Sequence, residues 1–327
     1  MPRRTDQSHE HQDCAGGGHP AIADHKTTVS STQHFLGASN DLSRIQSDHA
    51  VIFGPKLNGR QELAALIDTH RQDQRLTSGD ASSLRGKAQR LDSKLVGCPC
   101  RGAFSALIAR QYYDTTDTIT PVMSSSLEHI CVVSKHLPCR HLPFEQSATN
   151  PVIVYTDCAT YGPTNLRVGV LLIHPSGTFA ASVDVPQWFI DTFLLREKYI
   201  NLGELIAGPI AVSFFPELLA NQDVIWFIDN TSALGSLIKR ASSGEDVNSL
   251  ALVFGLSLTA LNCRAWFEYV QSESNPSDVL SRTAWDDLDV QQRLASGEWI
   301  RVDAEVPWRK FYQVPMAEVF EYFAVTG

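Results

Sequence analysis

The stretch VIVYTDCAT, residues 152–160, drives a β-branched run into an aspartate, and VIWFIDN at 224–230 does the same. Each run has the composition of a buried strand, and each ends in the residue least at home in a core, Asp157 and Asp229. Open α/β sheets place their ligand sites beyond the carboxyl ends of strands. If the two strands are parallel neighbours, both carboxylates face one crevice.

Working outward, LRVGVLLI (166–173) and TFAASVDV (178–185) read as strands joined by the turn HPSG, a hairpin. NLGELIAGPIAVSFFPELL (201–219) reads as an apolar helix broken near Pro209, where a missing N–H and a ring clash interrupt the ladder. TSALGSLIKRA (231–241) and DVNSLALVFGLSLTALN (246–262) read as further helices, and RAWFEYVQS (264–272) as a last strand before the turn SNPSD. The order strand, strand, strand, helix, strand, helix, helix, strand predicts an α/β domain over 150–282, with a mixed five-stranded sheet flanked by helices.

A small helical region precedes it. RQELAALIDTHR places Leu63, Leu66 and Ile67 on one face, ASSLRGKAQRLDSKLVG sets Leu84, Lys87, Leu91 and Leu95 near helical spacing, and GAFSALIARQYY reads as a third helix. Residues 1–33 are polar and without period, expected to be disordered or weakly ordered; 34–113 form the helical unit; 114–149 read as a linker with one short helix near 122–135; and 283–327, with Trp285, Trp299 and Trp308, as an appendage packed back on the domain.

Net charge is −9 over 327 residues, which excludes a generally basic nucleic-acid coat, but the charge is uneven. Residues 56–110 carry +5 and 150–282 carry −6. The basic block exposes Arg85, Lys87, Arg90, Lys94 and Arg101 on its polar faces. Seven cysteines without the dense spacing of a disulfide scaffold point to a reducing, intracellular compartment, cytoplasmic or nuclear. Cys98 and Cys100 are close, but no second pair stands at zinc-site spacing. No apolar run approaches ~18 residues and there is no signal-peptide core, so neither membrane spanning nor secretion is expected.

Adding Glu204, near the start of the first long helix, and Asp278, after the last strand, assembles four acids in one region. Buried carboxylates need a partner cation, no matching Lys or Arg set lies near them in sequence, and hard oxygen ligands suit Mg²⁺ or Mn²⁺. Two such ions about 3.5–4 Å apart would clamp the attacking and leaving oxygens of a phosphodiester. Each acid has a structural alternative. Asp157 could cap the turn after its strand; Glu204 could sit at N3 of a capping box begun by Asn201; Asp229 could open the next helix; and Asp278 could cap a turn.

Taken in order, YTDCA (155–159), GELIA (203–207), WFIDN (226–230) and SNPSDVLSR (274–282) resemble the ribonuclease H domain of retroelement reverse transcriptases, particularly of DIRS-like and related long-terminal-repeat elements. HFLGASNDLSR (34–44) and VIFGPKLNGRQELAALI (51–67) look like the end of a polymerase palm, and LTSGDASSLRGKAQRLDSKLVG (76–97) is similar to a thumb or connection. The resemblance implies a ribonuclease H-like fold in which Asp157, Glu204, Asp229 and Asp278 bind two Mg²⁺ ions, Mn²⁺ serving as a substitute. It implies hydrolysis of the RNA strand of an RNA–DNA hybrid, leaving a 3'-hydroxyl and a 5'-phosphate. The remainder of a reverse transcriptase polyprotein would be a partner, and Asn230, Asn275 and Arg282 would join the basic helical residues on nucleic acid. The family's product-release histidine has no counterpart; Glu273 and Ser274 stand near its place. On the same fold, a DNA nuclease or strand-transfer enzyme and a catalytically degenerate nucleic-acid-binding module are the alternatives.

Overall fold

A computed structural model describes residues 31–35, 38–95, 97–136, 139–143, 150–161, 165–242, 244–312 and 314–326. The stretch expected to be weakly ordered lies outside these residues, except for its last positions, where Thr32 and Gln33 begin strand β1.

The chain opens with β1 (Thr32–Phe35), β2 (Ala38–Asp41), α1 (Ile45–Asp48) and β3 (Ala50–Pro55), then α2 (Leu57–Asp73), α3 (Ser78–Asp92), α4 (Phe104–Tyr112), α5 (Pro121–His136) and β4 (Arg140–Pro143). The four strands form an antiparallel sheet in the order β1-β2-β3-β4. Thr77 caps α3, its hydroxyl oxygen accepting from the Asp80 N–H at 3.1 Å. The core faces are those expected: Leu63 and Ile67 on α2 and Leu84 and Leu91 on α3 are buried.

The linker expectation for 114–149 needs correction. Within it α5 runs 16 residues, starting on a proline as first turns favour, and packs against α2, while β4 closes the small sheet. Met123, Leu127 and Ile130, spaced i, i+4, i+7, form its buried stripe, with Val132 and Val133 also buried in its second half.

The second half begins with β5 (Val152–Tyr161), β6 (Asn165–His174) and β7 (Gly177–Val185), an antiparallel meander. The β6–β7 hairpin closes at His174↔Gly177 over Pro175 and Ser176, as the HPSG turn requires. Next come α6 (Gln187–Ile190), α7 (Ile200–Phe214), α8 (Pro216–Leu219), β8 (Asp223–Ile228), α9 (Thr231–Lys239), α10 (Glu245–Ala260) and β9 (Arg264–Tyr269). β8 lies parallel to β5, and β9 parallel to β8. The segment closes with α11 (Asp278–Arg282), α12 (Leu288–Ala295), β10 (Trp299–Arg301) and α13 (Met316–Thr326).

The sheet order β10-β7-β6-β5-β8-β9, with an antiparallel meander on one side of β5 and parallel strands on the other, is a mixed sheet flanked by helices: the ribonuclease H-like α/β fold. Three details differ from expectation. The region before the domain is not only helical, because β1, β2 and β3 precede its helices and pair in a sheet that β4 completes. The tail adds a sixth strand, β10, parallel to β7, and α13 lies against both α10 and α5. Helix α7 is not broken at Pro209, which lies inside it. The helix is buried without interruption from Leu202 to Val212, and tertiary packing of that extent outweighs one lost ladder bond. Gly208 serves the same packing, since a Cβ there would press to 3.1 Å on the Phe254 ring of α10.

The two halves are joined by a buried charge. Arg240, in the left-handed conformation that ends α9, is 6% exposed and donates to the Gly255 carbonyl at 3.4 Å. Its guanidinium occupies the space where Gly97 has no side chain. Buried Asp92, at the end of α3, accepts from the Cys100 N–H at 2.7 Å; burial pushes its carboxyl up to about 6, while that bond and the nearby Arg240 charge pull back.

Candidate active site

The site follows from strand register. β5 and β8 are parallel and pair from Val152↔Val224 to Thr156↔Ile228, so Asp157 and Asp229 are the next residues on neighbouring strands; Asp229 follows the end of β8, whereas β5 runs on to Tyr161 along β6, so Asp157 lies inside its strand and neither ends it nor caps a turn. Asp229 is not the cap of α9. That role belongs to Asn230, whose Oδ1 accepts from the Ser232 and Ala233 N–H groups at 3.0 Å each. Asn230 Nδ2 in turn donates to Asn201 Oδ1 at 3.0 Å, which fixes the start of α9 to α7.

Helix α7 delivers the third acid. Its N-cap is Tyr199, with no side-chain cap, so the capping-box reading of Asn201 and Glu204 does not hold. A Cβ on Gly203 would overlap the Cys158 thiol, and its absence lets α7 approach β5 closely enough for Glu204 Oε1 to accept from the Cys158 N–H at 3.3 Å. Asp157, Glu204 and Asp229 each offer a carboxylate oxygen within 4.8 Å of the others. Asp157 and Glu204 are 5% and 3% exposed.

Asp278 lies outside that cluster. It begins α11, and both its carboxylate oxygens accept from Arg282 Nε at 2.8 Å. Its place is set by Gly169, the cross-strand partner of Asp157. A Cβ on Gly169 would lie 2.5 Å from both the Ser277 carbonyl oxygen and the Ser281 nitrogen, so α11 rests directly on the sheet backbone there. Gly169→Val is expected to expel α11 and destabilise the protein by about 1–3 kcal/mol, the range for overpacking a tight interior, read as a lowered urea midpoint at unchanged m-value.

The electrostatics are those of a cation site. Burial, then the neighbouring Asp229 and Asp278 charges, pushes the Asp157 carboxyl up to about 6, against the hydrogen bond from Ser281. Glu204 is pushed well above the ordinary carboxylate range by burial and then by Asp157 and Asp229. Its Oε2 is buried with no hydrogen-bond partner among the described residues. The bonds to the cluster come from Ser281 Oγ to Asp157, Ser272 Oγ to Asp229 and the Cys158 N–H to Glu204, all neutral donors. Three crowded carboxylates, one with an orphaned oxygen, fit a divalent cation bound through hard oxygens.

The remaining residues named from sequence fall into different settings. Asn275 is 5% exposed and bonded inside the protein: its Nδ2 donates to the Thr156 carbonyl at 3.2 Å and its Oδ1 accepts from the Ser277 hydroxyl at 2.7 Å. A nucleic-acid contact there is therefore corrected to a brace between β5 and α11. Arg282 is exposed but paired with Asp278. Among the described residues, none of Arg85, Lys87, Arg90, Lys94 and Arg101 is ion-paired, whereas Arg71, Arg75, Arg110 and Arg167 are. They do not share one face: along α3, Arg85 and Arg90 project about 140° apart, and Arg85 stands over the Tyr112 ring at 5.8 Å. Partial burial, then the charges of Arg90 and Lys56, lowers the Lys94 ammonium, so these three cations lie together. Sequence reasoning missed Ser272, Ser281, Gly169 and Gly203, whose roles exist only across the sheet.

No family model and no curated protein matches the chain. Among solved structures it is similar to ribonuclease H1 of the halophilic archaeon Halobacterium salinarum NRC-1, at 16% identity and TM-score 0.30, covering 42% of this chain and 99% of that one. It is also similar to LC9-RNase H1, a type 1 enzyme with the type 2 active-site motif, at 14% identity and TM-score 0.29, covering 54% and 87%. A third likeness is to the foamy viral protease-reverse transcriptase dRH in complex with double-stranded DNA, at 16% identity and TM-score 0.25, covering 75% of this chain and 38% of that one. At scores of this size the likenesses add nothing to the topology, on which the fold assignment rests. No helix among the described residues is long and apolar enough to cross a membrane.

Proposed function

We propose that this chain hydrolyses the RNA strand of RNA–DNA hybrids with divalent cations, as the C-terminal part of a retroelement reverse transcriptase. The observation that carries the reading is the carboxylate cluster of Asp157 and Glu204, both buried, with half-buried Asp229, where the parallel pairing of β5 and β8 ends. These three would hold one Mg²⁺ or Mn²⁺, and Asp157 with Asp278 a second. When bound, such ions lower the pKa of an attacking water and stabilise the leaving 3'-oxygen.

The chain's own residues prepare that chemistry. The Cys158 N–H fixes Glu204 so that Oε2 is left for a ligand, and Ser272 holds Asp229. Asp278 is released to serve when Arg282, exposed and beside it, turns to a substrate phosphate. Lys56, Arg90 and Lys94, with Arg85, Lys87 and Arg101 on the other flanks, would take backbone phosphates of the hybrid, which the acidic domain itself is poorly charged to do. Shape and the 2'-hydroxyls would select the RNA strand.

The test is cleavage of end-labelled RNA–DNA hybrid, duplex DNA and duplex RNA in parallel, with Mg²⁺ and with Mn²⁺. The expected result is cut RNA in the hybrid alone, with 3'-hydroxyl and 5'-phosphate ends. Preferential cutting of duplex DNA would assign the same site to a DNA nuclease, and no cutting with either ion would leave a nucleic-acid-binding module.

A further inference from the structure

Helix α11 has five residues, too few to hold itself by its own hydrogen bonds, yet it carries Ser281 to the carboxylate cluster and Asp278 beside it. Each strand of the antiparallel meander supplies a side chain that takes one of its last carbonyls. Ser182 Oγ on β7 donates to the Leu280 oxygen at 2.8 Å. The Tyr161 hydroxyl on β5 lies 2.6 Å from the Ser281 oxygen and also against the Arg282 oxygen. Arg167 Nη1 on β6 donates to that Arg282 oxygen at 3.3 Å. From below, Gly169 permits the contact of backbone on backbone. The helix is thus clamped at its carboxyl end by the strands and seated on a glycine.

What this clamp presents inward is the Ser281 hydroxyl, fully buried and donating to Asp157 Oδ2. A hydroxyl has one proton to donate. The other acceptor near it, the Asp278 carbonyl at 2.9 Å, is farther away than Asp157.

We propose that Ser281 is a positioning residue of the cation site: it fixes the rotamer of Asp157 and leaves that carboxylate's other oxygen for a cation shared with Glu204 and Asp229, while Tyr161 acts one step removed by holding α11. The proposal rests on the reading of the triad as a divalent-cation site. A donor to a ligating carboxylate typically alters metal affinity by 10–100-fold when removed, and a residue that merely packs does not.

The experiment titrates Mn²⁺ into the full-length protein, with binding followed by calorimetry and melting temperature recorded with and without the ion. Ser281→Ala is expected to raise the Mn²⁺ half-saturation concentration at least about tenfold with little change in the metal-free melting temperature. Ser281→Cys, a near isostere with a weaker donor, is expected to fall between Ala and wild type. A Ser281→Ala protein that melts lower but binds Mn²⁺ as wild type does would overturn the proposal in favour of plain packing. Should Ser281→Ala not fold, Tyr161→Phe decides: weakened Mn²⁺ binding supports the clamp, and wild-type binding overturns it. Failure of the wild-type chain to bind Mn²⁺ would instead remove the cation-site reading, and the proposal with it.

Discussion

Asp157→Asn is expected to abolish divalent-cation-dependent cleavage of a hybrid while leaving the protein folded. Asp157 is the one acid placed to touch both proposed ions, because it sits on the central strand between Glu204, reached from α7, and the α11 segment that carries Asp278. Loss of several kcal/mol of transition-state stabilisation by the metal corresponds to a rate reduction of at least about 10³-fold. The same variant is expected to melt at or above the wild-type temperature without metal. An amide keeps an oxygen to accept from Ser281 and removes a buried negative charge beside Glu204 and Asp229, which costs stability at neutral pH. Retained cleavage in Asp157→Asn would eliminate the triad as the catalytic centre. A variant both inactive and unfolded would make Asp157 a structural residue.

The two aspartates were legible because composition and period mark a buried strand locally, and parallel register then needs only neighbouring order to bring Asp157 beside Asp229; the continuation of β5 past Asp157 to Tyr161, along β6, was not. Glu204 was legible only through its place in the series of motifs. Its local surroundings argued for a capping box, and that reading failed because the helix begins earlier, at Ile200, putting Asn201 inside the helix and against Asn230. The supports were not legible. Gly169 and Ser281 are more than a hundred positions apart in sequence, and their meeting depends on α11 lying across β6. Helix α5 carries a stripe, Met123, Leu127 and Ile130, but the prolines of the stretch around it make 114–149 read as a connection. Strand β10, with three residues, carries too little pattern to be read at all. Asn275 shows the complementary failure: a motif position implied to contact nucleic acid is buried as a brace, which only its surroundings reveal.

Raising the pH is expected to destabilise the metal-free protein, and divalent cations are expected to cancel that loss. The Asp157 carboxyl, pushed up to about 6 from an ordinary value of 3.8, binds its proton more tightly folded than unfolded. Glu204 is raised in the same direction by burial and by its neighbouring carboxylates. Such groups favour the folded state fully below the unfolded value, and their contribution is lost as pH rises through the folded one. For Asp157 alone the change is on the order of 3 kcal/mol across pH 4 to 7. Asp92, also raised to about 6, slopes the same way, and His129, lowered to about 4 by burial, slopes the opposite way between pH 4 and 6.5. Neither touches the cluster, so the quantity to measure is the melting-temperature increment produced by saturating Mg²⁺ or Mn²⁺ at each pH. Because binding displaces protons from the acids, that increment should be small at pH 5 and grow steadily to pH 8. In Glu204→Gln the growth should be reduced, since the amide removes both a ligand and a proton site held well above the ordinary carboxylate range. An increment independent of pH in the wild-type chain would mean that the ions bind elsewhere than at Asp157, Glu204 and Asp229.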